Sequence, residues 1–225
     1  IPEGYASKID VIELDFLDRP SLEKIPDDID AAYYLIHSMS SSIGDFETLE
    51  EQSARNFKDR LEQTSVKQVI YLSGIVNEEK LSKHLNSRKK VESVLASNTY
   101  HLTTLRAGII IGSGSASFEI MRDLVEKLPV MVTPKWLNTR SQPISIRNVL
   151  EYLKGVLNHE QTFNKSYDIG GPEILTYKEM LLQFAKVRKL KRRIYTVPVM
   201  TPKLSSYWLY FVTSTSYKLA VNLVN

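Results

Sequence analysis

Val69-Ile70-Tyr71-Leu72-Ser73-Gly74, followed by a polar stretch over residues 82–96 in which His84, Arg88 and Glu92 stand four apart, decides the fold reading. The unbroken apolar run ending at Ser-Gly reads as a strand buried on both faces. Spacing by four places the three polar side chains on one face of the helix that follows. A buried strand feeding a helix is the first part of a βαβ unit, whose next strand lies parallel to the first.

The rest of the chain repeats this alternation. Residues 8–14 (KIDVIEL) and 31–36 (AAYYLI) read as strands, and Phe46, Leu49, Phe57 and Leu61 space a helix. Residues 102–111 (LTTLRAGIII) read as a strand; Phe118, Met121, Val125 and Leu128 mark a helix, and residues 146–157 another. Residues 166–169 make a short strand, and Thr176 with Glu179 forms a capping-box pair ahead of a helix over 180–187. The expected fold is α/β, a doubly wound parallel sheet of Rossmann-like type spanning residues 1–189. Pro198 and Pro202 break the pattern beyond it. Residues 190–225, with Tyr207, Trp208, Tyr210, Phe211 and Tyr217, are expected to form a small helical lobe on the substrate or partner side. The same aromatic tail also fits a substrate cap or a surface meeting a membrane or a protein partner.

Composition narrows the functional classes. The 225 residues are 43% hydrophobic and 24% charged, with a formal net charge of +3, which is too evenly spread to mark a nucleic-acid partner. The basic run at 186–193 (KVRKLKRR) is read as a solvated helix end, with an anionic partner as the alternative. With no cysteine there is no disulfide and no thiolate nucleophile or metal site, which suits a cytoplasmic protein. His37, His84, His101 and His159 lack metal-ligand spacing, and no metal is expected.

A dinucleotide fold ordinarily carries a glycine-rich turn after its first strand, where backbone N–H groups meet the pyrophosphate. Nothing near the start of this sequence supplies one. Gly112-Ser113-Gly114-Ser115-Ala116-Ser117 follows a strand and precedes a helix, but lacks the third glycine, and is read as a loop whose glycines let the chain turn.

The ordered set IDVIELDFLD, AAYYLIHSMSSS, VKQVIYLSG, LRAGIIIGSGS and YDIGGPEILTYKEM resembles atypical short-chain dehydrogenase/reductases of the NmrA-like or sugar-nucleotide-epimerase-like kind. The resemblance covers nearly the whole chain. It makes the first strand here the family's third, so the sequence is expected to be a fragment of a longer protein. It implies NADP or NAD as cofactor and hydride transfer between nicotinamide and a carbonyl or alcohol carbon of an unspecified small-molecule substrate. The family's Y-x3-K pair corresponds to His84 and Arg88, with Ser73 as the hydroxyl that polarises a carbonyl. Cofactor contacts are then expected from Asp15, from His37, Ser38 and Met39, from Ser73 and Gly74, from Arg88, and from Ala107 and Gly108 in place of the family's R-P-G. Trp136, Arg140 and Gln142 are expected to face substrate.

Each of these residues also has a plainer reading. Asp15 or Asp18 can cap the helix entered at Pro20. Residues 37–42 can be a polar loop, Ser73-Gly74 a strand end with a turn, Arg140 a surface arginine, and His84 and Arg88 a surface helix face. Imidazole exchanges protons near neutral pH, whereas a guanidinium holds its proton and can only bind. Three functional readings follow: an NAD(P)-dependent oxidoreductase or epimerase, a cofactor-sensing regulator or assembly factor without turnover, and a complex- or membrane-associated subunit.

Overall fold

The computed structural model describes residues 3–36, 46–75 and 83–197, with the side chains of 3, 46 and 83–87 left aside. A short turn of helix, α1 (Arg19–Leu22), precedes β1 (Ala31–Tyr34); α2 (Phe46–Leu61) leads to β2 (Gln68–Gly74) and α3 (Lys83–Leu95) to β3 (His101–Ala107). Then come β4 (Ile110–Ile111), α4 (Ala116–Lys127), β5 (Val130–Pro134), β6 (Arg140–Ser141) and β7 (Ile144–Ser145). Helix α5 (Ile146–Gly155) returns the chain to β8 (Lys165–Ile169), and β9 (Leu175–Thr176), α6 (Tyr177–Val187) and β10 (Arg193–Val197) follow.

The central sheet is parallel, in the order β1-β2-β3-β8. Its strands carry apolar residues on both sides because helices cover both faces. Val69, Tyr71 and Leu102 point toward α2 and α3, where Phe57, Leu61, Val91 and Leu95 meet them. Ile70, Leu105 and Ile169 point the other way, onto Val149 and Leu153 of α5. At the start of β2 the one polar inward group, Gln68, is fully saturated. Its amide N–H₂ donates to Thr103 Oγ1 and to the Val156 carbonyl (both 2.9 Å), and its oxygen accepts from Asn158 N–H (2.7 Å).

A second core lies beyond β3. Val125 of α4, Met131 of β5, Leu181 of α6 and Ile194 of β10 pack together. Both capping signals read in the sequence operate here: Thr176 accepts from Glu179 N–H while Glu179 reaches back to Thr176 N–H. Those bonds, the backbone one foremost, hold the Glu179 carboxyl below its usual range.

Three expectations change. Residues 9–14 are not a strand: they follow a 3₁₀ turn (Glu3–Lys8) as unpaired chain, with Val11 80% exposed. The β-branched Ile9, Val11 and Ile12 suit a strand, but a strand also needs a neighbour's backbone, and among the described residues β1 pairs only with β2. Residues 102–111 are two strands, because the chain crossing at Gln142 comes so close that a Cβ on Gly108 would lie 3.0 Å from its carbonyl oxygen. Residues 193–197, assigned to a helical lobe, form β10, which pairs in parallel with β5. The aromatic tail from Tyr207 onward lies outside the described residues.

The basic run is a mostly exposed helix end, as expected, with two arginines tied to this second core. Arg192 donates to the Val125 and Glu126 carbonyls at the end of α4 (2.5 and 3.3 Å), satisfying acceptors the helix itself cannot reach. Arg188 pairs with the Glu126 carboxylate at 3.0 Å, and Lys189 takes a left-handed φ of 56° just past α6. Among the described residues no helix is long and apolar enough to cross a membrane.

Candidate functional site

Register decides which side chains meet. In a parallel sheet residues in register share a face. On the face under α2 and α3, the first row is Ala32, Val69 and Leu102, all apolar. The next is Tyr34, Tyr71, Thr104 and Ser166, and the third contains Ser73, Arg106 and Asp168. The face therefore turns from apolar to polar toward the carboxyl ends of the strands, where ligands of open α/β sheets bind.

Arg88, on α3, reaches this polar end. With Glu50 of α2 and with Tyr34, Ile36, Tyr71 and Val91 it lines a small cleft between the two helices and the strand ends. Arg88 is half-buried, and no hydrogen bond or ion pair joins it to another described residue. The Tyr71 phenol feels it directly. Burial pushes that phenol up, a hydrogen bond from Ser73 and the charge of Arg88 pull it down, and Glu50 and Glu92 push it up again. The adjacent Tyr34 phenol is driven well above the phenol range, chiefly by burial.

Glu92, the third member of the four-spaced set, turns away from Arg88. Arg106 grips it with two bonds, Nε to Oε2 (3.1 Å) and Nη2 to Oε1 (2.7 Å), and Ser166 Oγ donates to Oε1 (2.6 Å). Asp168 stands 3.9 Å from Arg106 Nη1.

The remaining expected site residues divide. Ser73 is buried beside Tyr71, and Gly74 ends β2 opposite Ala107. His84 lies in the first turn of α3, one turn before Arg88, its side chain among those not described. His37, Ser38 and Met39 lie outside the described residues. Asp15 is exposed; its carboxylate accepts from Leu17 N–H (2.9 Å) and its N–H donates to Ser21 Oγ (2.8 Å), so it forms a turn ahead of α1. Asp18, at the cap position itself, makes no side-chain cap bond. Phe16 nevertheless packs against both Tyr34 and Phe57, which holds Asp15 near the end of β1.

Ala107 points to the α5 face, away from Arg88, and Gly108 is spent on the crossing at Gln142. Gln142 itself donates to the Gly171 carbonyl (2.6 Å) and lies over Gly170, serving as a strap between two loops. Trp136 packs edge-on against Tyr177 (centroids 5.6 Å apart) with its indole N–H buried and unpartnered. Arg140 is exposed on β6 opposite Thr176, where its charge acts on Glu179. These last two belong to the α6 side of the molecule. Tyr71 and Glu50 went unread in the sequence. Tyr71 had a signal, since two residues before Ser73 on a strand means the same face; Glu50 had none, because its neighbours come from other elements.

The class is thus an α/β protein with a helix-covered parallel sheet and a polar cleft at the strand ends. No protein-family model and no curated protein matches the sequence. Solved structures do. A nucleoside-diphosphate-sugar epimerase from Staphylococcus aureus superposes with a TM-score of 0.75 at 13% identity, over 100% of this chain and 76% of that one. A Citrobacter triphenylmethane reductase complexed with NADP(H) gives 0.73 at 16% identity, over 96% and 72%. A short-chain dehydrogenase/reductase superfamily protein from Agrobacterium tumefaciens with bound NAD gives 0.68 at 12%, over 100% and 86%. At such identities the likeness is one of fold, and the fold is that of the short-chain dehydrogenase/reductase and sugar-nucleotide epimerase structures implied by the order of sequence motifs.

Proposed function

We propose that this chain binds a nicotinamide dinucleotide, NADP or NAD, across the carboxyl ends of β1, β2 and β3, with Arg88 as its principal cation. The observation that carries this reading is Arg88 itself: a half-buried guanidinium at the polar end of the sheet with no partner among the described residues. A guanidinium taken partly out of water and held by no hydrogen bond among the described residues is costly even with the Glu50 carboxylate in the same cleft, and ribose hydroxyls or phosphate oxygens are acceptors that it fits well. Ser73, two residues beyond Tyr71 and on the same face, supplies a hydroxyl at the same end. Structures of this fold bound to NADP(H) or NAD support the choice of ligand.

When bound, the nicotinamide would supply or accept hydride at a carbonyl or alcohol carbon of a small-molecule substrate. In an oxidoreductase or epimerase, His84 is the group to move the proton, as imidazole titrates near neutral pH. Arg88 retains its proton and contributes binding and field only. That same feature favours the second reading, a dinucleotide-sensing regulator or assembly factor without turnover. A cytoplasmic location accords with the absence of cysteine.

Fluorescence titration of the full chain with NADPH and NADH tests the first claim. Arg88→Met is expected to weaken binding about tenfold or more while leaving the melting temperature unchanged. Binding of neither dinucleotide, or equal affinity in the variant, refutes it. Loss of turnover in His84→Phe with affinity retained would decide for the enzyme over the regulator.

A further inference from the structure

Arg88 and Glu92 stand four residues apart on α3, the spacing at which arginine and glutamate ordinarily pair along a helix. Here they do not, because the sheet holds the carboxylate. Arg106 of β3 engages both Glu92 oxygens at 3.1 and 2.7 Å, and Ser166 of β8 adds a third donor at 2.6 Å. Only 17% of the Glu92 side chain is exposed, so the two-pronged bond works in a poorly solvated setting. A pair along the helix would give Glu92 one partner one turn away and, while Arg106 holds both of its oxygens, does not compete with that grip.

We propose that Arg106 is a positioning residue that withholds Glu92 from Arg88, so that the Arg88 guanidinium stays free for an anionic or ribose-bearing ligand. The proposal rests on the dinucleotide reading above and adds how its cation is kept available. Without Arg106, Glu92 is a carboxylate short of its main donor, with a cation one turn away on its own helix. It turns to that cation and neutralises it. The site is then lost through occupation of Arg88, although no ligand-contacting residue has changed.

The test is a double-mutant cycle in the full chain, read by NADPH titration. Arg106→Met is expected to weaken binding about tenfold. Glu92→Gln, which cannot neutralise Arg88, is expected to bind as the parent does. The double variant Arg106→Met/Glu92→Gln is expected to recover to within about twofold of the parent, because the competing carboxylate is gone. Arg106→Lys keeps the charge but not the fork and should fall between. A purely structural role for Arg106 predicts no recovery in the double variant, and that result overturns the proposal.

A second readout is independent of dinucleotide binding. In arginine-labelled protein, the Arg88 Nε–Hε resonance is expected to exchange slowly with water in Arg106→Met and rapidly in the parent and double variant. Unchanged exchange in Arg106→Met overturns the proposal even if the parent binds no dinucleotide, an outcome that by itself sinks only the functional reading.

Discussion

Replacing Arg60 with methionine tests how the segment ahead of β1 is held. Arg60 lies on α2 with 7% of its side chain exposed. Its Nε donates to the Leu22 carbonyl at 3.2 Å, and its Nη2 donates to the Ile25 carbonyl and to Asp27 Oδ1 (2.5 Å). Two of these acceptors end α1 and the turn after it, and the third is a carboxylate whose side chain is 81% exposed. Methionine keeps the apolar stem but removes both guanidinium bonds, leaving the Leu22 carbonyl with only the Ile25 N–H and the Ile25 carbonyl without its side-chain donor. A hydrogen bond to a charged group contributes about 1.5 kcal/mol or more, so losing two should cost about 3 kcal/mol. The ion pair itself should matter little, since Asp27 stays hydrated when unpaired; Asp27→Asn is expected to cost under about 1 kcal/mol. Urea unfolding of the parent and both variants gives the comparison, provided the slopes agree. Hydrogen exchange should localise the loss to residues 19–27, with Phe16 and Asp15 loosened alongside. The reasoning fails if Arg60→Met unfolds within about 0.5 kcal/mol of the parent, or if Asp27→Asn costs as much as Arg60→Met.

Two further outcomes are expected. Thr104 sits between Tyr71 and Ser166 in the second row with its hydroxyl buried and unpartnered. Thr104→Val puts a methyl in its place and should stabilise the fold by about 1 kcal/mol in thermal denaturation; a clear loss of stability would mean that the hydroxyl is bonded after all. The phenols of Tyr34, Tyr71, Tyr100 and Tyr177 are all raised, chiefly by burial. A raised folded-state value favours the neutral phenol in the native protein. The stability it contributes is therefore complete below about pH 10, the ordinary phenol value, and falls away as pH climbs toward the folded-state values. Absorbance at 295 nm should show these four of the 12 tyrosines ionising only as near-ultraviolet dichroism collapses. Ionisation of every tyrosine with dichroism intact would contradict that burial.

Most of the architecture was legible in local patterns. Residues 69–72 form a strand whose continuous apolar run is satisfied only between two layers of helix, and residues 101–107, with Leu102, Leu105 and Ala107 among threonines, pair beside it. Thr176 and Glu179 announced the start of α6 through a reciprocal cap that needs no tertiary partner. Residues 9–14 show the limit: Ile9, Val11 and Ile12 are β-branched and suit a strand, yet hydrogen bonding requires a second backbone that local sequence cannot supply. Gly108 shows the same in reverse. Its neighbours all favour extended chain, and the break comes from residue 142, more than thirty positions on.

The candidate site divides in the same way. Spacing alone placed His84, Arg88 and Glu92 on one helical face, and it located Ser73 at a strand end. Their roles came from contacts distant in sequence. Arg106 and Ser166 draw Glu92 toward the sheet, Tyr71 and Glu50 gather around Arg88, and Gln142, expected to face substrate, is used up bracing Gly170 and Gly171. Local periods of two and 3.6 residues were enough to show that strands and helices alternate about a parallel sheet and that Arg88 shares a helical face with His84 and Glu92, while the choice of Arg88 as the cation came from the resemblance. Which carboxylate pairs with which guanidinium was settled in three dimensions, because that competition turns on strand register and burial, and neither is encoded within a single turn of the chain.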